Sequence, residues 1–191
     1  MKLDKVILSS DDNPDYLEFW PIVSEAWRNI GIEPILFYTG KNKIKNENVF
    51  NFNLEKCDSA FLAQNIRLLA PTLFPNDTCI ISDIDNMPLS EDYFQGNIVN
   101  IADNQFIIYR PDATSEDMIS IMWNAAKGSK WIDIFEVDSV ESISKKLLSW
   151  YPENYSIGGD NWYHDQKILK EYITRYEAKN ISSITRLNDE S

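Results

Sequence analysis

The sequence predicts an α/β protein, one domain with a central, mostly parallel mixed sheet flanked by helices. Three observations predict it. Short apolar, β-rich runs alternate with segments whose apolar residues recur every third or fourth position. The alternation has the spacing of strand–helix–strand units, whose crossovers leave neighbouring strands parallel. With 191 residues, 43% hydrophobic and 25% charged, the chain has the length and composition of a single globular domain. That domain is expected to span residues 1–191, as a whole protein or as one module of a longer one.

The elements follow in order. Val6-Ile7-Leu8 predicts a buried first strand over 5–9. Ser10-Asp11-Asp12-Asn13 is a turn cluster, and Pro14 suits the first turn of a helix capped by Asn13. Tyr16, Trp20, Val23, Trp27 and Ile30 then mark one face of an amphipathic helix, which Gly31 ends. Ile35-Leu36-Phe37 predicts a second strand over 34–38, and residues 49–52 alternate as a third. Leu62, Ile66, Leu69 and Leu73 mark a helix starting near Ser59, and Pro71 should kink or end it. Thr78-Cys79-Ile80-Ile81 predicts a central strand. Beyond it, 97–101, 105–109 and 118–124 read as strands. Val140, Ile143, Leu147 and Tyr151 mark a third helix, and Trp162, Asp165, Leu169, Tyr172 and Tyr176 a fourth. The polar stretch 187–191 is expected to fray.

Composition removes whole classes of function. Thirty acids against eighteen bases give a net charge of −12, which repels nucleic-acid backbones and anionic membranes. Lys41, Lys43 and Lys45 form the one dense basic stretch, interleaved with Asn and read as a solvated loop. No apolar run reaches the roughly 18–20 residues of a membrane span. Lys2, Asp4 and Lys5 stand where a signal peptide would be apolar. Two cysteines and one histidine are too few for a Cys/His zinc site or a disulfide framework. The expected setting is therefore the cytoplasm, the host's if the chain is viral. The six glycines spell neither a dinucleotide fingerprint nor a P-loop.

The strongest chemical signal is Ser82-Asp83-Ile84-Asp85-Asn86, directly after the central strand. In open α/β sheets, ligands gather at the carboxyl ends of strands. Two acids placed there repel each other unless a cation compensates. Mg²⁺ and similar hard cations take one or two carboxylates together with substrate phosphates. The pattern thus points to a metal–diphosphate site.

The same stretch resembles the metal-binding D-x-D motif of nucleotide-sugar glycosyltransferases with the GT-A fold. The first strand ends in Ser9-Ser10, and Ala63-Gln64-Asn65-Ile66-Arg67-Leu68 lies on the helix before the motif strand. Asn124-Ala125-Ala126-Lys127-Gly128 follows, and Trp162-Tyr163-His164-Asp165-Gln166 comes late. This order is similar, over about residues 5–175, to the amino-terminal glycosyltransferase domain of a multidomain chlorella-virus enzyme. The resemblance implies a Rossmann-like GT-A domain that moves a sugar from a nucleoside-diphosphate donor, a UDP-sugar, to a glycan or other hydroxyl acceptor. It implies donor-binding roles for Ser9, Ser10, Asp11, Arg67, Asp83 and Asn124, and metal-binding roles for Asp85 and Asp83 toward Mn²⁺ or Mg²⁺. Many relatives supply a distal histidine ligand; this chain has none there, so its metal would rest on fewer protein ligands.

Asp165 shares a helix face with Trp162, Leu169 and Tyr172. A carboxylate on an apolar stripe needs a partner or a task. It is therefore the candidate catalytic residue, as a base in an inverting route or a positioning group in a retaining one, with helix capping as the plainer alternative. Retention is slightly favoured by the resemblance. Asp160 reads as an N-cap and His164 as a surface residue. Of the six tryptophans, Trp123, Trp131 or Trp162 could line an acceptor groove, while core packing suits each of them. Two other functions fit the motif less well: an aspartyl phosphatase or phosphotransferase, which uses D-x-D at its first strand, and a non-catalytic nucleotide-sugar-binding domain.

Overall fold

The computed structural model describes residues 1–187. In chain order the elements are β1 (Lys5–Ser10), α1 (Pro14–Leu17), α2 (Trp20–Asn29), β2 (Glu33–Tyr38), β3 (Val49–Asn51), α3 (Ser59–Leu69) and β4 (Thr78–Ile81). Then come α4 (Glu91–Phe94), β5 (Phe106–Ile108), β6 (Asn124–Lys127), α5 (Gly128–Phe135), α6 (Val140–Trp150), α7 (His164–Lys179) and β7 (Ile184–Arg186). Seven strands form one sheet in the order β3-β2-β1-β4-β6-β5-β7. β1, β2, β3 and β4 pair in parallel, β6 runs antiparallel to both β4 and β5, and β7 is parallel to β5. The expected α/β class with a mostly parallel mixed sheet is observed.

Both faces of the sheet are covered, which is why its strands read as continuous apolar runs. Ile7, Cys79 and Ile81 point to a core shared with Phe61, Leu62, Ile66 and Leu69 of α3 and with α5, α6 and α7. Val6, Leu8 and Ile80 point the other way, onto Val23 and Trp27 of α2 and Phe94 of α4. From β1 the chain winds outward through β2 to β3, then returns through α3 to β4 on the other side of β1. The gap beyond the carboxyl ends of β1 and β4 is therefore the switch point where a doubly wound sheet opens a crevice.

Several expectations change in detail. The helix foreseen after Asn13 is two helices. Asn13 caps the short α1, and the chain restarts at Trp20 with Pro21 in the first turn, where its missing N–H costs nothing. Tyr16 is left 39% exposed, off the packed face. Pro71 ends α3 as foreseen, and residues 70–73 tighten into a 3₁₀ turn.

Residues 97–101 are not a strand. They continue from α4 as 3₁₀ turns, with Ile101 N–H donating to Ile98 O at 2.9 Å, and Val99 is 63% exposed. Residues 118–123 are irregular and end in a turn, and the strand starts only at Asn124 because Trp123 sits at φ 65°. α5 and β7 were not foreseen. Asp160 caps nothing, since α7 starts at His164 behind Tyr163 and no side chain caps it. His164 is half-buried rather than a surface residue; its Nδ1 lies 3.0 Å from Asn65 Oδ1. The basic loop of Lys41, Lys43 and Lys45 is exposed as expected. Of the end expected to fray, 188–191 lie outside the described residues.

Candidate active site

At the β1/β4 switch point lies a cavity of about 560 Å³. Its walls come chiefly from the end of β1, from α3, from the turn after β4 and from the start of α7. Ser9, Ser10, Asp11, Arg67, Asp83, Asp85 and Asp165 all line it.

The β1 wall is fixed by hydrogen bonds before any ligand arrives. Ser9 Oγ donates to Ala63 O of α3, and Ser10 Oγ donates to Asp11 O at 3.1 Å. Asp11 accepts from Asn13 N–H at 3.0 Å and from Ser59 Oγ at 3.1 Å. These bonds hold an acidic turn against the start of α3.

Arg67 is the centre of the opposite wall. It is only 7% exposed. One guanidinium nitrogen donates to Asp83, and the other to Asp165 Oδ2 at 3.0 Å. Burial works against the charge of Arg67, but the two carboxylates outweigh it and raise its pKa further. Asp165 is 2% exposed, and its second oxygen accepts from Gln166 N–H at 2.8 Å. It thus both touches the start of its helix and holds the arginine. Desolvation pushes its carboxyl above the ordinary range, against the pull of Arg67.

Asp85 differs. It is exposed and lies at the mouth of the cavity. Among the described residues it has no ion-pair partner, and only Asn86 Nδ2 donates to it, at 3.2 Å. Partial desolvation and then the neighbouring Asp83 raise its pKa. Such a carboxylate has oxygen lone pairs to spare and an electrostatic need for a cation. Asp11, Asp83, Asp85 and Asp165 line the cavity with the one guanidinium, which pairs with two of them, so the donor set suits a hard divalent ion shared with a ligand's phosphates. The described residues hold no group of three or more His, Cys, Asp or Glu placed to bind a metal by themselves. Asp85, with Asp83 beside it, could hold one only jointly with a ligand.

Asn124 stands apart. It is fully buried in β6, outside the cavity lining, and its amide donates to Ser120 O at 2.7 Å and Ile121 O at 3.1 Å. It holds the turn whose Ile121 reaches the cavity. Behind the D-x-D turn, Trp123 Nε1 donates to Ser82 Oγ at 3.1 Å.

Tyr16, Gln64 and Gln166 also line the cavity and have no site role in the sequence reading, whereas Trp162, one of the three tryptophans offered there for an acceptor groove, lines it as well. Gln64 lies one turn before Arg67 on α3, a spacing that puts both on one face. That spacing was the available signal.

The chain's sequence matches no known protein family and no curated protein. Among solved structures it superposes on the glycosyltransferase GlyE of Streptococcus pneumoniae with a TM-score of 0.52 and 12% identity, covering 100% of this chain and 46% of GlyE. The chain has the GT-A fold. It spans just under half the length of GlyE. Weaker superpositions are with the galactosyltransferase LgtC in complex with donor and acceptor sugar analogues (TM-score 0.49, 13% identity, 96% of this chain and 73% of that one). Drosophila β1,4-galactosyltransferase 7, in complex with manganese, UDP-Gal and xylobiose, gives a TM-score of 0.48 at 11% identity, over 98% of this chain and 66% of that one. A GT-A fold hosts many activities, so the activity has to be argued from the site.

Proposed function

We propose that the chain is a metal-dependent glycosyltransferase that moves a hexosyl or deoxyhexosyl group from a UDP-sugar to a hydroxyl of a glycan or other acceptor. The observation that carries this reading is the buried Arg67, clamped by Asp83 and Asp165, beside an Asp85 without an ion-pair partner among the described residues, at the mouth of a switch-point cavity. A diphosphate brings negative charge into a cavity already rich in carboxylates. Arg67 supplies fixed positive charge on one side, and Asp83 and Asp165 aim it. A divalent cation, Mn²⁺ or Mg²⁺, held by Asp85 with Asp83 alongside, would offset the charge that builds on the departing diphosphate. Ser9, Ser10 and Asp11 form the wall that receives the nucleoside.

Asp165 fits the role of a positioning residue better than that of a base, because both its oxygens are engaged. That favours retention of anomeric configuration over an inverting route in which Asp165 takes the acceptor proton. An aspartyl phosphotransferase would need Asp83 free as a nucleophile, and Arg67 occupies it. The named activity of GlyE agrees with the proposal at the level of fold. The narrower likeness to a chlorella-virus domain rests on the sequence motifs. The unit is read as one domain in a cytoplasmic setting, in keeping with two free cysteines and no described helix long and apolar enough to cross a membrane.

Calorimetric titration with UDP tests the reading. Binding is expected with Mn²⁺ present and is expected to weaken at least about tenfold in EDTA. Asp85→Asn should show the same loss in the presence of Mn²⁺, with an unchanged melting temperature. Equal UDP affinity with and without metal would overturn the metal-bridge proposal.

A further inference from the structure

Trp162 is the one tryptophan that builds no core. Trp27 and Trp131 are fully buried, Trp150 packs onto the core of α3, α5, α6 and α7, and Trp20 and Trp123 pack onto the core on the other face. Among the described residues Trp162 belongs to neither cluster and pairs with no other ring. It is partly exposed and lines the cavity together with exposed Ile157 and Tyr163 and buried Asp165.

Its position is nevertheless fixed. Gln64 Nε2 donates to Trp162 O at 3.1 Å, and Tyr155 O–H donates to Gln64 Oε1 at 2.9 Å. Two polar side chains thus hold the backbone of a partly exposed indole that belongs to neither core cluster. The part of the indole left open in the cavity wall is apolar surface that a ligand can cover.

The charges around it narrow the ligand. Among the described residues Arg67 is the only basic side chain lining the cavity, and it is committed to Asp83 and Asp165. Asp11, Asp83, Asp85 and Asp165 supply the rest of the charge. A carboxylated or phosphorylated acceptor would find no free cation, whereas a neutral sugar ring offers an apolar C–H face to the indole and hydroxyls to the acids. We infer that Trp162, held by Gln64 and Tyr155, is the platform on which a neutral saccharide acceptor stacks. This rests on the glycosyltransferase reading of the same cavity.

The test uses protein carrying ¹⁵N-labelled tryptophan indoles, with the Trp162 signal assigned from its loss in Trp162→Phe. UDP and Mn²⁺ are added first. A fixed panel of methyl glycosides of neutral hexoses, deoxyhexoses and pentoses follows, with methyl glucuronide as the charged control. At least one neutral glycoside should shift the Trp162 signal. Its affinity should fall about tenfold or more in Trp162→Ala and recover in Trp162→Phe. The glucuronide should bind more weakly than the best neutral member, and UDP affinity should be the same in all three proteins.

Several results would overturn the platform: a panel that leaves Trp162 unmoved, glycoside binding that survives Trp162→Ala, or preference for the glucuronide. So would a lower melting temperature in Trp162→Ala, which would make the indole a packing residue after all. A UDP-sugar that shifts Trp162 and loses affinity in Trp162→Ala would assign the platform to the donor. Failure of UDP to bind with Mn²⁺ would instead remove the glycosyltransferase reading, and this inference with it.

Discussion

Arg67 gives up its hydration in the cavity wall and receives in exchange two charge-assisted hydrogen bonds. Such an exchange is stabilising only while the partners stay in place, because a buried ion left without one is heavily penalised. Asp165→Ala is therefore expected to lower unfolding free energy by about 3–5 kcal/mol in urea denaturation. Asp165→Asn keeps an acceptor for the guanidinium and should cost less. Donor turnover should nevertheless fall by roughly 10²-fold in Asp165→Asn, as expected for a misaligned binding group, while Mn²⁺-dependent UDP affinity changes little. Turnover at the wild-type level in a stable Asp165→Asn would end the positioning role. At this scale the sequence was legible where chemistry is local. Asp83 and Asp85 announce themselves two residues apart after an apolar strand. The clamp on Arg67 does not, since its partners lie 16 and 98 residues away.

Elements were legible where periodicity and punctuation agree. β1, β2, β4, α3 and α6 show both, α7 shows the periodicity without a capping side chain, and Gly31 marks the end of α2 with φ 75°. The misread elements have weaker or contrary signals. Ile98, Val99 and Ile101 imitate a strand, but Gly96 and the short α4 draw them into consecutive turns. β7 is three residues long and takes its register from β5 rather than from a pattern of its own. The junction that places α5 turns on Gly128, where a Cβ would collide with the backbone carbonyl of Phe74 and lie 2.7 Å from Pro71 O. Both obstacles are main chain, so neither can swing aside. Gly128→Ala is expected to cost about 2–3 kcal/mol in urea unfolding. Gly31→Ala meets nothing within 4 Å and should cost only the left-handed backbone penalty, about 1–2 kcal/mol. An undisturbed Gly128→Ala would mean that α5 can shift off the end of α3.

At the scale of the whole molecule, α7 packs against α3 and α5, and its start brings Asp165, with Trp162 just before it, to the crevice opened by β1 and β4. His164 sits at that junction, bonded to Asn65 of α3 and packed 5.6 Å from the ring of Phe61. It is the chain's one histidine and its ordinary pKa is 6.5. Burial lowers that value in the folded state; Glu171 opposes the shift and Lys167 adds to it. Because the folded pKa lies below the unfolded one, the unfolded chain binds more protons in the interval between them. Stability should therefore decline as pH falls through 6.5 and level off below the folded pKa. The slope is bounded by about 1.4 kcal/mol per pH unit for one proton, and solvent exposure of the ring keeps it below that bound. Net charge acts in the opposite sense. At −12 the chain repels itself, and acidification toward its isoelectric point near 4.5 relieves that repulsion. Comparison with His164→Gln separates the two, because Gln keeps a polar partner for Asn65 but does not titrate. Urea unfolding of both proteins from about pH 8 to about pH 5 should show the wild type losing ground to the variant as pH falls through the histidine range. A pH-independent difference would mean that His164 is as readily protonated in the folded chain as in the unfolded one, and that the α3–α7 junction is open to water.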